Sequence, residues 1–517
     1  MDKKLMIKKT VGVGFYNLAS RVLGLFREII QAQYLGVSAV SDAFSTAFSI
    51  PNSFRIIFVE GALSASLVPS FVRAIREDKK KMINSLIGLA LLFFEGIVII
   101  FCGLIMWQAD LIVRLLCPGF GATQVARTVI MLRILMPYIL FISCSAVFGS
   151  ALQAVNHFFI PAITPALINV IWIGGLAVCI TNDLPVHIFC YFLIFAGVVQ
   201  LIVHIITYLK LDFAFAKITR EVYGSFKPIM LNVLFCMICG MASEISIMVD
   251  YNFASYLPVG SISLMKYAIR FMGVPLGFFA SAISTITLPY FSRVSAYAPK
   301  RLNFFLVETS KLVFWVTIPM MLIMGFLSEK IFQTIFLSSK FTMTHVLEVR
   351  PIFIAFLAGL FALSVNKILL NLYYSRRVMW LPALISVFGV GVNIIFNMLL
   401  INKYQATGLA IGTSLAAFVQ TILYIIFLRV WFGYTFYLNN FMNFVWRYCL
   451  QLALILPAAL LLYYGMTSLI TRLPSAVAHF FLCRFGFWFW AGPLCLAIAA
   501  AVYFTRKQFG VKLYFFD

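Results

Sequence analysis

Residues 19–36, "ASRVLGLFREIIQAQYLG", belong to a long apolar run that nevertheless carries Arg21, Arg27 and Glu28. A secretory signal peptide has a shorter apolar core and a small-residue cleavage site. This run has neither, so it reads as a retained membrane span. A charge at the centre of a bilayer costs roughly 2.5–3.5 kcal/mol, so three charges in one pass need a purpose. The rest of the chain agrees with a bilayer as its main solvent. Of its 517 residues 63% are hydrophobic and 11% charged, against about 25% charged in soluble proteins.

A span needs about 20 predominantly apolar residues. That criterion places helices near 10–36, 41–70, 82–107, 127–154, 158–181, 186–209, 228–256, 262–292, 304–327, 347–374, 378–401, 405–430, 442–465 and 482–505. The expected fold is therefore an all-α polytopic membrane protein of about 14 transmembrane helices with short loops. Basic residues concentrate in alternate loops, among them "MDKKLMIKK" at 1–9, "RAIREDKKK" at 73–81, "SRR" at 375–377 and "TRKQFGVK" at 505–512. Basic loops stay cytoplasmic, which predicts that both termini are cytoplasmic. The net charge of +22 thus sets orientation and calls for no nucleic acid. The ten cysteines lie scattered in apolar stretches and read as small buried hydrophobes. "CMIC" at 236–239 sits within a span and reads as packing.

The chain echoes itself at a displacement of about 220 residues, a sign of internal repeats. "PALIN" at 165–169 returns as "PALIS" at 382–386, and "YLGVSAVSDAF" at 34–44 as "YLPVGSISLMKYA" at 256–268. Six spans per repeat give two halves of the same orientation, related by an axis along the membrane normal. The expected domains are an N-lobe over 1–210, a C-lobe over 211–430 and a C-terminal helix pair over 431–517.

Intramembrane charges normally face a bundle interior or a watery cavity. They cluster here in the first two spans (Arg21, Arg27, Glu28, Asp42, Arg55, Glu60) and in the seventh and eighth (Glu244, Asp250, Lys266, Arg270). Glu95 stands more singly. Two readings compete: ion pairs that hold helices together, or arginines that present a fixed fork of donors to phosphate. Several arginines in one cavity point to an anionic, phosphorylated substrate. "IPNSF" at 50–54 and "GVPLGF" at 273–278 interrupt the second and eighth spans at matching places, and paired interruptions mark binding sites and hinges. No phosphate loop of the GxxxxGK[ST] type is present, which leaves an ion gradient or the membrane potential as the drive. Asp250, Asn393, Asn397 and Thr413 are candidate sodium ligands, with polar helix–helix contact as the other reading.

The series "SRVLGLFRE" at 20–28, "SDAF" at 41–44 and "IPNSFRIIFVEGALSASLVP" at 50–69 resembles the MurJ (MviN) family of lipid II flippases, in the multidrug/oligosaccharidyl-lipid/polysaccharide exporter superfamily. "NHFFIPAITPALINV" at 156–170, "IRFMGVPLGFFASAISTITLPYFSR" at 269–293 and "YYSRRVMWLPALI" at 373–385 extend the resemblance along nearly the whole chain. It implies a transporter, not an enzyme, that moves lipid II (the undecaprenyl-pyrophosphate-linked disaccharide-pentapeptide) to the outer leaflet of the bacterial inner membrane for peptidoglycan synthesis. It implies substrate-binding roles for Arg21, Arg27, Asp42, Arg55 and Arg270, with Glu60 at the acidic position of the family's EGA motif, and a lipid-tail groove formed by the last two helices. Asp42 would hold an arginine while the site is empty. Membrane lipids and cell-wall synthesis enzymes are the other partners implied. The chain departs from the family pattern at Ile56, Lys266 and Ile269. The alternatives are an exporter of another lipid-linked oligosaccharide or of a drug, and a membrane transferase acting on polyprenyl phosphate.

Overall fold

The computed structural model describes residues 3–57, 80–155, 157–211, 244–280, 301–376, 380–434 and 436–514, with isolated positions between them. The "CMIC" cysteines and Glu60 lie outside the described residues. Every regular element among the described residues is helical. We number them α1 Lys3–Leu35, α2 Ala39–Arg55, α3 Lys80–Trp107, α4 Ala109–Leu116, α5 Ala122–Leu135, α6 Tyr138–Ala154, α7 Phe159–Thr181, α8 Val186–Lys210, α9 Ser261–Pro275, α10 Leu302–Phe326, α11 Ser328–Phe336, α12 Met343–Ala358, α13 Leu360–Ser375, α14 Trp380–Phe432, α15 Leu438–Thr471, α16 Ser475–Leu482 and α17 Phe487–Thr505. A further helical stretch covers 244–254.

Nine stretches among the described residues are long and apolar enough to cross a membrane, and their positions follow the expected spans. α14 is two spans joined at Gln405, whose φ of 49° and ψ of −132° break the helix, beside the expected gap at 402–404. α12 and α13 together make one kinked stretch of 32 residues. The short helices α4, α11 and α16 were not expected, because eight or nine residues fall below any span criterion. α4 carries a fully exposed i,i+4 pair, Arg114 Nε to Asp110 Oδ2 at 2.7 Å, that holds the Asp110 carboxyl below the usual range.

The two proline interruptions have the same local outcome. α2 passes Pro51 and opens into a π-type turn at 56–57, and α9 ends at Pro275 where a π-helical turn, Leu276–Ala280, begins. Proline removes a backbone donor, and the widened turn re-registers the bonds it frees. π-turns within helices occur often at functional sites.

The chain divides into two compact units. The first comprises 1–264 and 338–341. In it α1 packs along α7, α7 along α8, and α8 along α6, around a core that includes Phe44, Phe48, Leu132, Phe148, Trp172 and Phe189. The second comprises 265–337 and 342–517. There the far half of α14 is zipped to α12 and α13 by polar contacts between spans: Ser414 Oγ to the Ala355 carbonyl at 2.7 Å, Thr421 Oγ1 to Asn366 Oδ1 at 2.7 Å, and Tyr373 Oη to the Tyr424 carbonyl at 2.7 Å. Such bonds fix helix register where no hydrophobic force distinguishes protein from lipid. α15 and α17 pair with each other and join α10, where Tyr448 donates to the Trp315 carbonyl at 2.8 Å. Only 11% of the apolar window of α15 is buried, against 72% for α12–α13. The C-terminal pair therefore presents most of its apolar surface outward.

Candidate functional site

Arg27 sits nine residues before Gly36, at which α1 has ended, about 13 Å from that end at 1.5 Å per residue. Its side chain is 14% exposed. Its guanidinium donates from Nη1 to Asn169 Oδ1 at 3.0 Å and from Nη2 to Glu28 Oε1 at 2.6 Å. Its Cζ lies 4.3 Å from the centroid of the Trp172 ring. Asn169 is itself oriented, since its Nδ2 donates to the Ser20 carbonyl at 3.0 Å and lies close to Gly24. Trp172 meets Phe48 edge-on at 5.1 Å and Phe189 at 5.7 Å. Asn169 and Trp172 are three apart on α7, so they share the face turned to α1.

This arrangement holds the guanidinium plane in one orientation. A desolvated cation on an indole face gains about 2 kcal/mol. The Arg27–Glu28 pair gives much of its Coulomb attraction back as desolvation. An anion that replaced the Glu28 carboxylate would meet donors already aimed.

Arg21 is exposed, six residues and about 9 Å of helix rise from Arg27. Arg55 closes α2, with Nε and Nη2 both directed at Asn52 Oδ1 at 3.3 and 3.2 Å. Asp42 opens α2 and Arg55 ends it, each at the terminus the helix dipole favours. Arg270 is exposed and belongs to the second unit. Asn393 and Asn397, both fully buried, meet Thr413: Asn397 Nδ2 donates to Asn393 Oδ1 and Asn393 Nδ2 to Thr413 Oγ1, each at 3.2 Å. Asp250, the fourth expected sodium ligand, belongs to the first unit. Among the described residues no cluster of three His, Cys, Asp or Glu side chains forms a metal centre.

Asp42 is 3% exposed, and its carboxylate accepts from the Gly260 N–H at 2.6 Å, the Ser263 N–H at 2.8 Å and the Ser263 hydroxyl at 2.6 Å. Gly260 and Ser263 are the cap and third residue of α9. Asp42 thus caps α9 from α2, supplying the acceptor that an N-cap side chain ordinarily gives. Around it several loops close on one another. Val37 donates to the Lys340 carbonyl at 3.3 Å, Lys340 Nζ reaches the Tyr34 carbonyl at 2.9 Å, and the Gly119 N–H donates to Ser255 Oγ at 3.0 Å. Gly36 and Gly260 have φ of 62° and 98°, and a Cβ on Gly260 would stand 2.3 Å from Val37 Cγ1. Both turns fall in the repeated "YL…" segments. The loops after the first, third, seventh and ninth expected spans thus touch one another here within the first unit. Asn169 and Trp172 were not singled out in the sequence. The available signal was Asn169, the last residue of "PALIN", with an indole one turn beyond.

The sequence matches the family model described as lipid II flippase MurJ over residues 31–483. A probable lipid II flippase MurJ of Buchnera aphidicola subsp. Baizongia pistaciae is 29% identical over 433 residues, covering 81% of this chain and 82% of the relative. One from Vibrio cholerae is 27% identical over 435 residues, with 81% and 82% covered. Among solved structures, lipid II flippase MurJ in an inward closed conformation aligns with a TM-score of 0.76 at 25% identity, covering 97% of this chain and 99% of that one. An inward-facing multidrug resistance MATE family transporter of the MOP superfamily aligns at 0.68 and 14% identity, over 80% and 94%, which is a likeness of fold. With nearly nine-tenths of its length matched in this way, the chain belongs to the MurJ family of lipid II flippases and is a membrane transporter, not an enzyme.

Proposed function

We propose that this chain moves lipid II from the cytoplasmic to the outer leaflet of a bacterial inner membrane by alternating access, with Arg27 binding the pyrophosphate. The observation that carries this reading is the setting of Arg27: a guanidinium well inside the long helix α1, set over the Trp172 ring and aimed by Asn169. Glu28 accepts from Arg27 where the anion would bind, and the incoming diphosphate displaces it. Arg21 adds positive field nearer the basic end of α1. Arg55, Arg270 and Glu60 are retained as substrate-binding residues from the family pattern. We assign Asp42 to the closure of one end, because it caps α9. The polyprenyl tail stays in lipid against α15 and α17, whose outer faces are apolar and exposed. Both termini face the cytoplasm, as the basic loops indicate. For the drive we propose sodium at Asn393, Asn397 and Thr413, or the membrane potential. The three side chains meet through hydrogen bonds to one another, and a sodium ion would take their oxygens in place of those bonds.

The test is binding of lipid II to purified protein in detergent, with undecaprenyl monophosphate as the competitor. The parent should prefer the pyrophosphate lipid, and Arg27→Ala should bind the two alike. A parent that prefers neither lipid contradicts the assignment.

A further inference from the structure

Glu95 plays no part in the site above, yet it lies midway along the apolar stretch Asn84–Trp107 of α3, about 17 Å from either end. It is 9% exposed and faces α6. There Ser143 Oγ stands 2.6 Å from both Glu95 Oε1 and Oε2, and 3.4 Å from the Leu140 carbonyl. The Cys144 thiol, a weak donor, lies beside the carboxyl, and Cys102 lies near it on α3 itself. The other ionisable groups on the packed elements are engaged elsewhere or turned outward. Asp110 and Arg114 of α4 pair with each other in solvent. Arg127 of α5 is exposed, and Arg133 of α5 donates to the Met106 carbonyl at the far end of α3. Tyr138 of α6 is buried at that helix's first residue, and Phe226 meets Phe93 and Phe94 by ring contact. Among the described residues no lysine, arginine or histidine forms an ion pair with Glu95.

The hydrogen count decides the charge. A serine hydroxyl has one hydrogen, and an ionised carboxylate only accepts. If Glu95 were ionised, that single hydrogen and the weak Cys144 donor would have to serve both carboxylate oxygens and the Leu140 carbonyl, and the charge would lie mid-membrane among neutral groups. A carboxylic acid supplies the missing hydrogen. One Glu95 oxygen then donates to Ser143 Oγ, while the serine hydroxyl donates to the other oxygen. Both short contacts are satisfied and no charge is buried.

We infer that Glu95 with Ser143 is a proton-binding site in the first unit, occupied while α3 and α6 are packed together. The ligand is one proton: binding converts carboxylate to acid with no other bond changed. Release leaves a carboxylate that needs water, so the site can discharge only when this interface hydrates. The inference does not depend on which lipid is carried.

The test is infrared spectroscopy of the full chain in lipid, comparing parent, Glu95→Gln and Ser143→Ala. At neutral pH the parent should show the carbonyl stretch of a protonated carboxyl that Glu95→Gln lacks. Ser143→Ala should shift this band, because one hydrogen bond to it is gone. A carboxylate band in the parent at neutral pH, lost in Glu95→Gln, overturns the inference. Should Glu95→Gln fail to fold, parent against Ser143→Ala still decides it: a shifted acid band supports the site, and identical spectra overturn it.

Discussion

Asp42→Ala removes the acceptor for three hydrogen bonds at 2.6, 2.8 and 2.6 Å and leaves two backbone N–H groups at the start of α9 without it. An orphaned buried donor costs about 1–3 kcal/mol, so two cost about 2–6 kcal/mol if water does not replace the carboxylate. At about 1.4 kcal/mol per tenfold, local opening of this end becomes about 30-fold to 10⁴-fold more frequent. Asp42→Asn keeps one acceptor oxygen but turns an NH₂ toward a donor, so its effect falls between parent and alanine. The assay is amide hydrogen exchange of the peptide covering 258–266 in the purified protein. Faster exchange there, graded alanine over asparagine over parent, with the α7–α8 peptides unchanged, is the expected result. Unchanged protection of Gly260 and Ser263 in a folded Asp42→Ala protein refutes the capping role.

Asn169→Leu removes a bond to a charged partner worth about 1.5–3 kcal/mol and should weaken lipid II binding about tenfold or more while Arg27 remains, as a binding titration would show; equal affinity contradicts the positioning role. Trp172→Ala takes away the cation–π face and two aromatic contacts and should lower the unfolding temperature as well as affinity, since Trp→Ala in a core costs about 3–5 kcal/mol. Gly260→Val combines φ of 98° with a close approach to Val37, a strain of about 1–3 kcal/mol that should appear as a lower melting temperature in detergent. Asp110→Asn should leave that temperature unchanged at neutral pH. Its carboxyl is held below the usual range by Arg114, so any support it gives is present above the ordinary carboxylate range and lost as pH falls, but the pair is open to solvent and screened.

Most of the membrane topology was legible because about 20 apolar residues in series have few other fates. Even the break near 402–404 was visible, and the structure places Gln405 there. The short helices were not legible, since eight or nine residues carry no span signal. Arg27 was marked by its cost in a bilayer, but its supports were not. Asn169 and Trp172 lie 142 and 145 positions further on, and only the packing of α1 on α7 brings them to it. Asp42 shows the same limit from another side. The resemblance suggested an arginine partner; the structure adds the backbone of α9 and Ser263, contacts that no side-chain motif announces. Backbone partners leave no trace in residue identity apart from the glycine at 260, whose positive φ a side chain would strain.

The central claim is that Arg27 meets the pyrophosphate, and its most direct test is lipid II exposure at the outer leaflet of cells depleted of their own flippase. Such cells would express the parent or Arg27→Ala at matched membrane levels. The account predicts exposure restored by the parent and lost with Arg27→Ala. Equal restoration by both, or none from a well-expressed parent, contradicts it.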